Sequence, residues 1–133
     1  MPSPKLCILC VDDDDDISAL IEVMLQYSNA DYKITSVRTA EDGLRLAATE
    51  AFDLYVLDYD LSHKSGVEIC RRVRQTDAQV PIMFFTGEDH ERERREAMDA
   101  GANAYLVKPD DLGILTETAM QLLGVEKLAP RTQ

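Results

Sequence analysis

Positive charge is what this sequence has least of. Its 133 residues hold 14 Lys and Arg against 25 Asp and Glu, a formal net charge of -11 at pH 7. Nucleic-acid binding needs a basic face to neutralise phosphates, so the composition argues against it. It equally disfavours docking on an anionic membrane. No apolar run is long enough to span a bilayer. The start, Met1-Pro2-Ser3-Pro4-Lys5, lacks the apolar core of a signal peptide. A cytoplasmic location is the default expectation.

Cysteine is scarce, with Cys7, Cys10 and Cys70 only. Cys7-Ile8-Leu9-Cys10 has the redox spacing, but a redox pair sits where a strand gives way to a helix N-terminus. This pair falls inside an apolar strand run, where residues three apart point to opposite faces. Both are expected to be buried packing residues, and no partners at metal-ligand spacing stand near them. There is no internal repeat and no low-complexity stretch beyond the aspartates.

What is present suits one folded domain. Hydrophobic residues make up 45% and charged residues 29%, as in soluble globular chains. A chain of this length buries roughly two-thirds of its unfolded surface without a disulfide or metal staple.

Strand and helix patterns alternate five times. Leu6 to Val11 and Leu54 to Leu57 are short continuous apolar runs, suited to strands buried on both faces. Tyr32 to Val37 carries Lys33, Thr35 and Ser36, which suggests an edge strand. Val80 to Phe85 and Ala104 to Val107 are the fourth and fifth strands. Ile17, Leu20, Ile21, Met24 and Leu25 recur on one face of a first helix, with Asp14, Asp15 and Asp16 at its positive end. A second helix is entered near Thr39. A third carries Ile69, Cys70 and Val73, with Arg71, Arg72 and Arg74 as a solvated outer face. Glu88 to Ala100 reads as a fourth helix, with Glu88–Arg92 and Glu91–Arg95 as i, i+4 pairs and Gly101 as its C-terminal cap. Leu112, Leu115, Ala119 and Leu122 define a fifth, ended by Gly124. The pattern predicts an α/β fold, a parallel sheet with right-handed crossovers and helices on both faces.

In such a sheet the loops at the carboxyl ends of the strands share one edge, where ligands bind. Strand one ends in Asp12-Asp13, strand three in Asp58, strand four in Thr86 and strand five in Lys108. Two unit charges ~4 Å apart repel by roughly 4 kcal/mol at an effective dielectric of ~20. Three carboxylates therefore take up protons or bind a cation, and oxygen-only ligands suit Mg²⁺. An EF-hand is excluded, because Asp12-x-Asp14-x-Asp16 is followed by Ile17 where the loop needs Gly. An ammonium and a hydroxyl beside a metal are what a phosphoryl group needs, and a carboxylate can itself accept phosphate.

In order along the chain stand Val11-Asp12-Asp13-Asp14, Leu57-Asp58, Ser65-Gly66, Phe85-Thr86-Gly87, Gly101-Ala102 and Tyr105-Leu106-Val107-Lys108-Pro109. This series resembles the response-regulator receiver domain of two-component signalling, from about Lys5 to Leu123. The resemblance implies a flavodoxin-like, doubly wound sheet of order 2-1-3-4-5 with five helices. It implies a receiver over residues 1–124, with 125–133 a tail or the start of a linker. Asp58 resembles the phosphoacceptor, Asp13 a direct Mg²⁺ ligand and Asp12 a water-mediated one. The backbone carbonyl of Asp60 would complete the metal sphere. Lys108 and Thr86 would contact the phosphoryl group. Tyr105 matches the aromatic that changes rotamer with it, altering the face made by the fourth helix, fifth strand and fifth helix. The Lys108-Pro109 bond is usually cis in this family. Asp60 and Glu88 flank the phosphoryl site and are expected to tune the lifetime of the phosphorylated state.

Two departures stand out. Ser62 replaces a usual Pro, so the loop after Asp58 is expected to be more mobile. Asp110 replaces a common Phe. The implied donor is a phosphohistidine on a sensor histidine kinase or a histidine phosphotransfer protein, met by the first helix and the loops around Asp58. Output is expected through a protein partner, phosphorylation-dependent self-association, or a domain following Gln133. The reading is of a switch, not an enzyme beyond self-catalysed phosphotransfer and autodephosphorylation. Two others stay open. Asp58-Tyr59-Asp60 resembles the Asp-x-Asp of haloacid-dehalogenase-type phosphatases, although the acidic pair there comes late in the chain. A binding-only module on the same fold would signal without phosphate. His63 and His90 read as plain surface histidines.

Overall fold

The computed structural model describes residues 5–125. The tail expected over 125–133 therefore lies, beyond Val125, outside the described residues. Five strands, β1 (Leu6–Val11), β2 (Tyr32–Val37), β3 (Leu54–Leu57), β6 (Ile82–Thr86) and β7 (Ala104–Val107), form one sheet in the order β2-β1-β3-β6-β7. All four pairings are parallel. Two further strands, β4 (Asp60–Leu61) and β5 (Lys64–Ser65), make a small antiparallel hairpin. With the hairpin set aside, the order is the expected 2-1-3-4-5, and β2 is an edge.

The helices are α1 (Asp15–Ser28), α2 (Ala40–Thr49), α3 (Gly66–Thr76), α4 (Glu91–Asp99) and α5 (Leu115–Leu123), the last preceded by a 3-10 turn over Leu112–Ile114. The starts of α1, α2 and α3 follow from side-chain capping of free N–H groups. The Asp14 carboxylate accepts from the N–H groups of Asp16 and Ile17, and the Thr39 hydroxyl from that of Asp42. Gly101 and Gly124 take the positive φ angles, 113° and 69°, that end α4 and α5. No helix among the described residues is long and apolar enough to cross a membrane.

Because the strands alternate sides, their apolar runs feed two cores. Leu9, Val11, Tyr55, Leu57 and Phe84 pack with Ala40, Val67, Ile69 and Ala97 from α2, α3 and α4. Ile8, Cys10, Leu54, Val56, Met83 and Phe85 pack with Ile21, Leu25, Leu115 and Ala119 from α1 and α5. Full burial of such side chains contributes roughly 1.5–3 kcal/mol each for the larger ones.

The structure corrects several expectations. α4 begins at Glu91, so Glu88 lies in the preceding loop, and no Glu88–Arg92 pair is found among the described residues. Glu91–Arg95 does form, at 3.8 Å. Cys10 and Cys70 are buried, but Cys7 is only half-buried near the chain's start. Arg74 is no part of a solvated face. Its guanidinium donates to the Gly101 carbonyl at 3.0 and 2.8 Å and to Asn103 at 3.0 Å. The segment after Asp58 forms a short hydrogen-bonded hairpin, with Ser62 at φ 66° in its turn.

Candidate functional site

Strand register builds the site. Val11 pairs with Leu57 and Thr86 with Val107. The next residues, Asp12, Asp58 and Lys108, therefore emerge at one rim. Their backbones are fixed there: Asp12 N–H donates to Val37 at 3.1 Å, Asp58 N–H to Val11 at 3.0 Å and Lys108 N–H to Thr86 at 2.8 Å. Carboxylate oxygens of Asp12, Asp13 and Asp58 lie within 4.8 Å of one another. The Lys108 ammonium donates to Asp12 at 2.8 Å and to Asp58 at 3.2 Å.

Asp12 and Asp58 are buried, as is Thr86. Burial raises the Asp12 carboxyl above its usual value, and the Asp58 charge adds to this; bonds from Lys108 and the Asp14 N–H pull the other way without prevailing. Burial alone would lower the Lys108 pKa. Its bond to Asp12 and the charges of Asp58 and Asp12 outweigh that and hold the ammonium above its usual value. Three carboxylates thus face one fixed cation. Cys10 beneath it is inert, since burial pushes its thiol up to about 12.

Thr86 ends β6, and its hydroxyl oxygen accepts the Glu88 N–H at 3.3 Å, which leaves its own proton to give. Tyr105 is buried against Phe84, rings stacked with centroids 5.8 Å apart. Its hydroxyl donates to the Glu88 carbonyl at 2.6 Å. The Lys108-Pro109 bond is cis. Asp60 is exposed at the start of β4, and Glu88 is half-buried.

The family model of the response regulator receiver domain matches residues 8–119. The chain belongs to that family. PhoP of Bacillus subtilis (strain 168), an alkaline phosphatase synthesis transcriptional regulatory protein, is 35% identical over 102 residues, which cover 77% of this chain and 42% of PhoP. A CheY-like receiver domain protein of Methanospirillum hungatei JF-1 superimposes with a TM-score of 0.83 at 28% identity, over 92% of this chain and 95% of that one. The receiver domain of sensor histidine kinase PA1611 from Pseudomonas aeruginosa PAO1, with a magnesium ion in its active-site cleft, gives 0.79 at 27%, over 90% and 98%. This receiver domain spans about half the length of the curated relatives it matches, 45% and 42% for two of them. Phosphoacceptor signalling in two-component systems is the role of the family.

The receiver domain also contains contacts that sequence reasoning did not find. Ser62 donates to Asp13 at 3.0 Å, and the Tyr59 hydroxyl donates to Glu96 of α4 at 3.1 Å. Burial first, then the bond to Glu96 and the charges of Glu96 and Glu93, hold the Tyr59 phenol above its usual value. Ser62 and Tyr59 are visible in the sequence as neighbours of Asp58. Their partners, 49 and 37 residues away, carry no local signal.

Proposed function

We propose that Asp58 is the phosphoacceptor and that a phosphohistidine of a sensor kinase or phosphotransfer protein is the donor. One observation carries this: Asp58 ends the central strand and shares the carboxylate cluster and the Lys108 ammonium with Asp12, but Asp12 also accepts the Asp14 N–H, whereas Lys108 is the one donor found for the Asp58 carboxylate among the described residues. A carboxylate oxygen of Asp58 attacks phosphorus. The new P–O bond forms as the P–N bond breaks, and the imidazole leaves with that electron pair. Lys108 is placed to hold a phosphoryl oxygen, and Thr86 to donate its hydroxyl proton to another.

The donor set fits Mg²⁺. It is all oxygen, three carboxylates against one ammonium, with a strong negative excess. Asp13 and Asp58 would hold the ion, with the Asp60 carbonyl, and Asp12 through water. When bound, Mg²⁺ offsets the charge that develops on the transferring phosphoryl group.

The new charge at Asp58 then biases Thr86, Tyr105 and the face made by α4, β7 and α5. Output passes through a protein partner, a phosphorylation-dependent dimer or a linked effector domain. Asp60 and Glu88 flank the site and set the lifetime of the phosphorylated form, so Asp60→Asn shifts the autodephosphorylation rate. Order along the chain speaks against the phosphatase reading: Asp12-Asp13 precede Asp58 here, whereas the acidic pair comes late in that family.

The test is NMR with Mg²⁺ and beryllofluoride. Large shifts at Thr86 and Tyr105, lost in Asp58→Ala, are expected. Silence of both residues would contradict the proposal and favour a binding-only module.

A further inference from the structure

α4 is weakly seated. Of its nine residues Ala97 alone is buried, and its N-cap, His90, makes no side-chain capping bond. Little apolar area holds this helix to the sheet, so its polar contacts matter more than usual. The loop before it is pinned where Tyr105 donates to the Glu88 carbonyl. The helix itself is pinned through Glu96, which accepts the Tyr59 hydroxyl at 3.1 Å.

Glu93 lies three residues earlier, on the same helix face as Glu96. Its side chain is only 14% exposed. One of its carboxylate oxygens is buried with no hydrogen-bond partner, and the other is 3.7 Å from Arg92. A buried acceptor without a donor is costly, so Glu93 is held inward by the helix rather than by a bond of its own. Two carboxylates of α4 thus face inward, and Tyr59, which holds one of them, directly follows Asp58 in the chain.

We infer that the Tyr59–Glu96 hydrogen bond is a second coupling between the phosphoacceptor and α4, separate from Thr86 and Tyr105. With Asp58 unmodified, the bond keeps α4 against the sheet. Added negative charge at Asp58 repels Glu93 and Glu96 and releases the helix. Tyr59 is a positioning residue and takes no part in the transfer. The switching half of this inference rests on Asp58 being the phosphoacceptor; the seating of α4 does not.

The test is amide hydrogen exchange across residues 91–99 in the full chain, with and without Mg²⁺ and beryllofluoride. Without them, Tyr59→Phe and Glu96→Ala are expected to exchange several-fold faster than wild type across α4. Glu96→Gln, whose amide oxygen still accepts, stays close to wild type. Loading speeds α4 exchange in wild type and adds little in Tyr59→Phe. Loading also adds less in Glu96→Gln, which lacks the charge. Unchanged α4 exchange in unloaded Tyr59→Phe would overturn the inference, and so would a full wild-type increment on loading that variant. If wild type shows no shift at Thr86 on loading, the phosphoacceptor reading fails, and the unloaded comparison still decides the hydrogen bond.

Discussion

Ser62 donates its hydroxyl proton to a carboxylate oxygen of Asp13 across 3.0 Å. Among the described residues it is the one non-glycine at positive φ, 66°. In the same turn the His63 N–H reaches the Leu61 carbonyl at 2.9 Å. A turn closed over three residues with positive φ is sparsely populated. Proline cannot adopt it, because its ring fixes φ near −65°. The proline usual in this family and the bond to Asp13 therefore exclude each other. The hairpin that carries the Asp60 carbonyl is tied here to a carboxylate of the candidate metal site.

Ser62→Ala removes that tie and leaves the fold intact. Partners that orient a metal ligand are worth about 10–100-fold in affinity, and this bond is exposed, so a loss near tenfold is expected for Mg²⁺. Ser62→Pro should lose at least as much, since the turn must also rearrange. NMR titration with Mg²⁺ measures both. Wild-type affinity in Ser62→Ala would contradict the assignment.

Lys108→Ala takes the ammonium from between two largely buried carboxylates. Removing one partner of such a cluster costs about 3 kcal/mol, read as a lower urea midpoint without metal. Mg²⁺ should bind this variant more tightly than wild type, because no fixed cation competes for Asp12 and Asp58, and should restore much of the stability. A variant that is equally stable without metal, or that binds Mg²⁺ more weakly, would count against the charge balance described.

Gly66 opens α3 directly beneath Asp58. A Cβ there would overlap the Asp58 carbonyl and come within 3.3 Å of the Phe84 ring. Gly66→Ala is expected to cost about 1–3 kcal/mol or more and to abolish the beryllofluoride response by displacing Asp58. Gly113→Ala is the control. Its Cβ would meet nothing within 4 Å, so stability should hold or rise by about 0.4–1 kcal/mol.

The Asp77 carboxylate accepts the N–H groups of Gln79 at 2.8 Å and Val80 at 2.9 Å. Those two bonds hold its pKa below the usual 3.8. A lowered folded-state pKa stabilises above the unfolded value and is lost as pH falls through the folded one. Asp77→Ala should therefore melt below wild type at pH 7, and the gap should close well below pH 3.8. A gap that persists in acid would mean Asp77 acts through packing instead.

The rim of the sheet was legible because two physical signals coincide there. Short apolar runs end abruptly in Asp12, Asp58, Thr86 and Lys108, and parallel pairing puts all such ends on one side. The start of α4 was not legible. Glu88 to Glu91 is polar throughout, so no apolar stripe marks where the helix begins, and capping by His90 gives no side-chain signal. The β4–β5 hairpin has two residues in each strand, too few for alternation to show. Arg74 reads as solvated because it stands in one basic run with Arg71 and Arg72; only the fold brings the Gly101 carbonyl to it. Tyr59 and Glu96 meet for the same reason.

Asp58 alone is expected to receive the phosphoryl group. Incubation of the chain with Mg²⁺ and a labelled phosphohistidine donor, followed by peptide mapping, measures this directly. One stoichiometric, base-labile acyl phosphate on the peptide containing Asp58, absent in Asp58→Asn, is the expected result. Label that persists in Asp58→Asn, or that maps to Asp13 or His63, would contradict the account.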